Sequence, residues 1–246
     1  MTVPMYLDAA VPDLPFIYVQ NPTGGLFPDD DLLISIDVAS EARVHVTTQS
    51  ATKAHAGAGS GARQRIDVQL AAGAYAELIP DTLIPHAGAR VDQTVSAQLA
   101  EGAAMVASEL LAPGRHRQSE RFGYERVQLT TAVRDGAGRE LFVDTLELEP
   151  GRRSPASRGV LGKHAYLGTF TVVAPHVDVE RLASLVDSEL AVDAHVTGGA
   201  GVLPRAAGLG ARVLADRAAD ARRALDAAWA IVRHELIDAP LPPRRK

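Results

Sequence analysis

One unit recurs three times along this chain, and it limits the fold more than any other feature. Ile34-Ser35-Ile36-Asp37-Val38 runs into Ala39-Ser40-Glu41-Ala42 and on into Arg43-Val44-His45-Val46. Ile66-Asp67-Val68-Gln69-Leu70 runs into Ala71-Ala72-Gly73-Ala74 and then Tyr75-Ala76-Glu77-Leu78. Val95-Ser96-Ala97-Gln98-Leu99 runs into Ala100-Glu101-Gly102-Ala103 and then Ala104-Met105-Val106. Each copy is an alternating strand, a small-residue turn and a second strand, and Ala42, Ala74 and Ala103 mark a period of about 30 residues. Period-two alternation with one apolar face places each strand half-buried on a core. Repetition at this spacing predicts stacked units: a mainly β fold, in a two-layer β-helix-like or sandwich arrangement.

The remaining segments fit around these units. Residues 1–15 read as an irregular arm, with Pro4, Pro12 and Pro15, leading into a strand at Phe16–Val19. Asn21-Pro22-Thr23-Gly24-Gly25 is a turn, because Asn and Pro start it and paired glycines permit positive φ. Pro28 to Asp31 is a second break, and 32–38 is a strand. The Gly/Ala/Ser-rich stretch 54–63 is expected to be a mobile loop, and the proline-bounded stretch 80–88 cannot be a central strand throughout. A hairpin is predicted from 127–133 and 140–148 around Arg134-Asp135-Gly136-Ala137-Gly138. After a basic, flexible break at 150–159, residues 167–174 read as another strand.

The last quarter changes character. A helix is predicted over 179–191, with Leu182, Leu185, Val186 and Leu190 on one side, and a strand pair over 193–202 around Gly198-Gly199. A long helix is predicted over 211–237. On it Leu214, Ala221, Leu225, Ala228, Val232 and Leu236 form one apolar stripe, and Arg217, Asp220, Arg222, Arg223, Asp226 and Arg233 occupy other faces. Pro240, Pro242 and Pro243 stop it, and the Arg244-Arg245-Lys246 tail is expected to be disordered. No linker accompanies the shift near residue 176. The expectation is therefore one domain over 1–246: a β part at about 16–175, a helical part at about 176–238 and a basic tail at 239–246.

Composition excludes several functions. With 246 residues, 46% of them hydrophobic, the chain can bury a sizeable core, and with aromatics at 4% that core falls to Val, Leu, Ile and Ala. A net charge of −5 argues against nucleic acid as the main partner. The absence of cysteine removes disulfides, thiolate metal sites and cysteine nucleophiles. No apolar run approaches the length of a membrane span, and the N-terminus lacks the basic region of a secretory signal. A soluble cytoplasmic protein without a membrane partner is the expectation.

Catalytic signatures are missing too. There is no P-loop, no H-E-x-x-H, no G-x-S-x-G and no dinucleotide fingerprint after a strand. The eight histidines are dispersed, with no i,i+4 pair on a helix, although folding is free to bring the loop residues His86 and His116 together. Asp29-Asp30-Asp31 offers hard oxygen ligands, yet reads first as a solvated turn. Glu109 and Glu120 each read alone as surface charge. Thr47-Thr48-Gln49-Ser50-Ala51-Thr52-Lys53 ends a strand in hydroxyls and one cation. Its groups need partners if buried, at about 1–3 kcal/mol for each left unpaired. From chemistry alone, an exposed strand end and a functional polar cluster are both open.

Two of these stretches carry a resemblance. N-P-T-G-G-L at 21–26, then Asp30, then T-T-Q-S-A-T-K at 47–53, resemble the signature of the urease accessory protein family UreD, also called UreH. Leu78-Ile79-Pro80, Ile84 to Arg90, Glu109, Gly114-Arg115, Glu120-Arg121-Phe122, Arg134-Asp135-Gly136 and Asp144 resemble further family segments in order. Four positions depart from the pattern: Pro28-Asp29 replaces a Gly-Gly, His86 replaces an aromatic and Ser119 a glycine. A C-terminal Pro-Arg-x-Trp is also missing, its place taken by Pro-Pro-Arg-Arg-Lys.

The resemblance implies a non-enzymatic scaffold with a two-layer β-helix-like fold and C-terminal helices. It implies binding to apo-urease, to UreF and, through UreF, to the GTPase UreG, with help in nickel insertion and a polar internal tunnel as the nickel route. No tightly bound cofactor is expected, only transient nickel(II). On this reading Asp30, Glu109, Glu120 and Asp144 are carboxylates of the nickel path or its mouth, and Thr48, Gln49, Lys53, Arg90 and Arg115 are polar residues along it. Two rivals stand beside it: an adaptor that bridges urease and its partners without a metal route, and a small-molecule hydrolase on a β scaffold.

Overall fold

The computed structural model describes residues 1–115, 118 and 120–242. His116, Ser119, Pro243 and the Arg244–Lys246 tail lie outside the described residues. Strand β1 (Phe16–Val19) is followed by β2 (Asp31–Val38), β3 (Arg43–Thr48), β4 (Thr52–Ala54), β5 (Ala62–Leu70), β6 (Tyr75–Leu78), β7 (Leu83–Pro85), β8 (Arg90–Leu99) and β9 (Ala104–Leu111). The three repeated units are successive coils. In each, the first strand joins one sheet, and after the turn the second strand joins the other. Thus β2, β5 and β8 pair in parallel in one layer, and β3, β6 and β9 in the facing layer.

The turns explain why the coils stack. Ala42, Ala74 and Ala103 each close a four-residue turn through an N–H bond to Ala39, Ala71 and Ala100, at 3.1, 3.1 and 3.2 Å. The third residue is left-handed every time: Glu41 at φ 59°, Gly73 at 67° and Gly102 at 71°. Glycine takes this conformation without the Cβ penalty, which is why it occupies two of the three copies. The turns also bond to one another, Glu41 N–H to Ala72 O at 3.0 Å and Gly73 N–H to Glu101 O at 3.0 Å.

The fourth pass breaks the pattern. Strand β10 (Arg126–Asp135) lies parallel to β8, and β11 (Glu140–Leu148) returns antiparallel as the predicted hairpin. In the other layer, β12 (Tyr166–Val173) is antiparallel to β9 and is followed outward by β14 (Gly208–Ala215) and β13 (Val196–Val202). The two sheets read β11-β10-β8-β5-β2 and β1-β3-β6-β9-β12-β14-β13. Helices α1 (Val179–Val192) and α2 (Ala218–Ile237) cover the outer face of the second sheet, burying Leu182, Val186, Leu190, Leu225 and Trp229 against Phe170, Val172, Leu209 and Val213. No helix among the described residues is long and apolar enough to cross a membrane.

Four expectations for the last quarter need correction. Residues 193–202 do not form a strand pair: β13 runs through Gly198-Gly199 in unbroken register with β14, and the chain reverses later, at a 3-10 turn over Pro204–Ala206. The long helix starts at Ala218, not 211, because Gly208 to Ala215 is held as a strand by partners on both edges. Leu214 is in phase with the helical stripe but belongs to that strand. Arg233, expected off the apolar stripe, is fully buried. Leu185, placed on the apolar side of α1, is 38% exposed.

Candidate functional site

Between the two sheets lie two apolar clusters rather than one continuous core. One contains Ile36, Val68, Val95, Leu78, Ala107, Val133 and Phe142. The other contains Leu26, Ala62, Val91, Leu111, Leu129, Leu148 and Leu167. The strands crossing from one cluster to the other carry a polar residue at the inward position in between. Period-two alternation makes this legible: Ala62-Gln64-Ile66, Val91-Gln93-Val95, Ala107-Glu109-Leu111 and Phe142-Asp144-Leu146. Gln64 and Gln93 are register partners on neighbouring strands. Across the gap, Glu109, Thr169 and Arg212 are register partners on β9, β12 and β14. A polar seam therefore runs through the middle of the two-layer stack.

Its open end lies beside β2 and β3. A mouth with a volume of about 620 Å³ is lined by Asn21, Asp30, Thr48, Gln49, Lys53 and Gln64, among others. The Gly24-Gly25 pair shapes it. Gly24 is left-handed at φ 84°, and a Cβ on Gly25 would stand 2.5 Å from Lys53 O and 2.7 Å from the His55 ring. The Asp30 carboxylate accepts from Phe27 N–H at 2.8 Å, so it caps the turn and lines the mouth at once. Thr48 Oγ1 donates to Ser50 O at 3.0 Å and accepts from Asp81 N–H at 2.9 Å. Gln49 is exposed, and Lys53 makes no ion pair among the described residues.

Val19, Ile34, Thr48, Thr52 and Gln64 also line a narrow inner cavity of about 50 Å³, which continues to Gln93 and Glu109. At roughly 10–15 Å³ each, that is room for a few water molecules. Gln64 is 8% exposed, and its Oε1 has no hydrogen-bond partner. Glu109 is half-buried and lines the inner cavity. The Gln93 side-chain amide donates to one carboxylate oxygen, and Thr169 Oγ1 stands 3.5 Å from the other. Burial pushes the Glu109 carboxyl above its ordinary range. The Gln93 amide, Arg212 and Thr169 pull it back, and Asp144 adds to the rise. Beyond Glu109 the seam is closed by an ion pair across the layers, between Arg212 on β14 and Asp144 on β11.

The structure thus brings together Asp30, Thr48, Gln49 and Lys53 at the mouth, Glu109 inside and Asp144 at the far end. It does not bring Glu120, Arg115 or Arg90 to the seam. Glu120 is held on the outer surface by Arg115 and by Ala87 N–H at 3.2 Å, and the Arg115 bond keeps its carboxyl below the ordinary range. His86 packs edge-on against His55, which stacks on Phe27. Arg90 pairs with Glu125 beside a separate cleft under residues 57–61. Gln64, Gln93, Thr169 and Arg212 were not singled out by the sequence. The usable signal is a polar residue at an inward position two places before the repeated apolar runs at Ile66 and Val95.

Two further clusters lie outside the seam. Glu77, fully buried on β6, accepts from His45 Nδ1 (2.7 Å), Tyr75 Oη (2.7 Å), Trp229 Nε1 (3.1 Å) and Arg233 Nη1 (2.8 Å). Arg233 also pairs with Asp8 of the N-terminal arm and donates to Pro240 O at 2.9 Å. Thr197 Oγ1, His164 and Asp216 form a chain of contacts at 3.1 and 3.1 Å, in the order of a nucleophile–base–acid relay. Thr197 is exposed on the edge strand β13, and neither the mouth nor the inner cavity is lined by these residues. Among the described residues, no three His, Asp or Glu side chains converge to hold a metal ion.

Comparison with known proteins agrees with this architecture's sequence signature. The profile of the UreD urease accessory protein family matches residues 1–246. The urease accessory protein UreD of Haloarcula marismortui is 36% identical over 250 aligned positions, covering 100% of this chain and 83% of the relative. That of Mycolicibacterium gilvum is 35% identical over 96% of this chain and 85% of its own length. That of Cenarchaeum symbiosum is 31% identical over 98% and 85%. With a family match over its whole length and relatives at 36%, 35% and 31% identity along nearly all of it, the chain belongs to the UreD urease accessory protein family.

Proposed function

We propose that this chain is a non-catalytic scaffold that acts in the cytoplasm. It binds apo-urease together with UreF and, through UreF, the GTPase UreG, and it assists nickel(II) insertion by letting the ion pass along the inter-sheet seam. The observation that carries the reading is the placement of Asp30, Gln64, Glu109 and Asp144. In a urease accessory chain, these oxygen donors stand in sequence from an open mouth to the opposite edge, between two apolar clusters. Nickel is cargo here, not a resident cofactor. Hydroxyl, amide and isolated carboxylate oxygens bind it less firmly than a closed cage of imidazoles or thiolates, which favours release.

Co-expression with the urease subunits, UreF and UreG tests the scaffold. All are expected in one complex recovered through this chain, and loss of either urease or UreF from that complex would overturn the reading. A second reading, an adaptor with no metal route, draws on the Arg212–Asp144 pair, which closes the seam at one end.

A further inference from the structure

We infer that Arg212 is a built-in competitor for the cation: its guanidinium holds the Asp144 carboxylate that, with Glu109 on the neighbouring strands, a divalent ion would use, so that passage requires the arginine to leave. The inference rests on the proposed cation route and names its regulation.

The geometry comes from strand register. Glu109, Thr169 and Arg212 stand side by side on β9, β12 and β14. Strands lie about 4.8 Å apart, so Glu109 and Arg212 are separated by roughly 10 Å at their backbones, within reach of an arginine side chain. On β14 Leu209, Ala211, Val213 and Ala215 face the helices, and alternation turns Arg212 toward the facing sheet. There it meets Asp144, which β11 presents on its own inward side between Phe142 and Leu146. The pair therefore spans both layers, immediately beyond the point where the inner cavity ends at Glu109.

The chemistry separates this pair from an ordinary surface ion pair. Arg212 pairs with Asp144 alone and leaves the Glu109 charge without an ion-pair partner of its own, whereas a divalent ion between the two carboxylates would neutralise both. Arginine does not lose its proton in proteins, so it remains a cation whatever the pH. The orphan Oε1 of Gln64, in a side chain more than nine-tenths buried, is an independent sign that the cavity leading here is built for a donor or a cation. The Arg212 side chain is 40% exposed, so it can swing into solvent and remain hydrated.

Calorimetric titration of the purified chain with nickel(II) tests this. Arg212→Gln and Arg212→Met are both expected to bind about tenfold more tightly than the parent chain. Arg212→Lys, which keeps the charge, is expected to stay within about twofold of it. The gain is expected to vanish in the double variant Arg212→Gln/Asp144→Asn. Equal or weaker binding in both neutral variants, or a gain that survives Asp144→Asn, would overturn the inference. The titration contains neither urease nor partner proteins, so its failure is distinct from failure of the scaffold reading.

Discussion

Glu77 shows how one side chain ties remote parts of this chain together. Burial alone would oppose its ionisation, but the His45, Arg233 and Tyr75 partners outweigh that and hold its carboxyl below the ordinary range. Removing one member of such a buried set leaves the others uncompensated, which costs about 3–5 kcal/mol. Arg233→Met is accordingly expected to lose about that much stability in urea unfolding. For Glu77 the sign follows from a depressed folded pKa: its contribution is full above the ordinary value of 4.5 and is lost as pH falls through the folded value. The stability gap between the parent chain and Glu77→Gln is therefore expected to be widest near neutrality and to narrow below pH 4.5. An unchanged gap across that range would mean that the Glu77 charge does not hold this cluster together. The cluster was not legible in the sequence. Glu77 alternates correctly in a strand and Arg233 sits beside an apolar helical stripe, but only tertiary contact reveals that the two meet.

At the level of elements, the repeated turn is the feature on which the fold depends. Gly102 is left-handed, and a Cβ there would find its nearest neighbour at 3.7 Å, so substitution tests backbone conformation without a clash. Gly102→Ala is expected to cost about 1 kcal/mol, measured as a lower urea midpoint at unchanged slope. These turns, their strands and the β10–β11 hairpin were legible because alternation and turn chemistry agree locally. β13 and β14 were not. Gly198-Gly199 reads as a turn and Leu214 as part of a helix until β12 is available to pair with β14. Glycines inside a strand are tolerated there because α1 packs close: a Cβ on Gly198 would stand 3.3 Å from Leu190 Cβ.

For the whole molecule, three layers divide the work. The helices and the outer face of the larger sheet form one apolar core, which gathers the N-terminal arm through Val11 and Leu14 and the segment after α2 through Ala239 and Leu241. The space between the sheets holds two smaller clusters with the polar seam between them. Part of the seam was readable: Asp30, Glu109 and Asp144 were identified through a family signature. The two glutamines, Thr169 and Arg212 needed the sheets in register before their inward direction could be seen. Glu120 and Arg115 share the family's motifs but pair with each other beside Ala87, away from the residues that line the seam.

The most direct test of the route is the nickel content of urease matured with the Glu109→Gln variant. Gln keeps the shape of the site: its Oε1 can still accept from the Gln93 amide while its NH2 donates to the Thr169 hydroxyl, so the charge inside the cavity is removed with both contacts retained. Urease recovered from an intact complex is expected to carry several-fold less nickel per active site than urease matured with the parent chain. Equal nickel loading, with the complex assembled in both cases, would contradict passage through the seam and leave the chain as an adaptor.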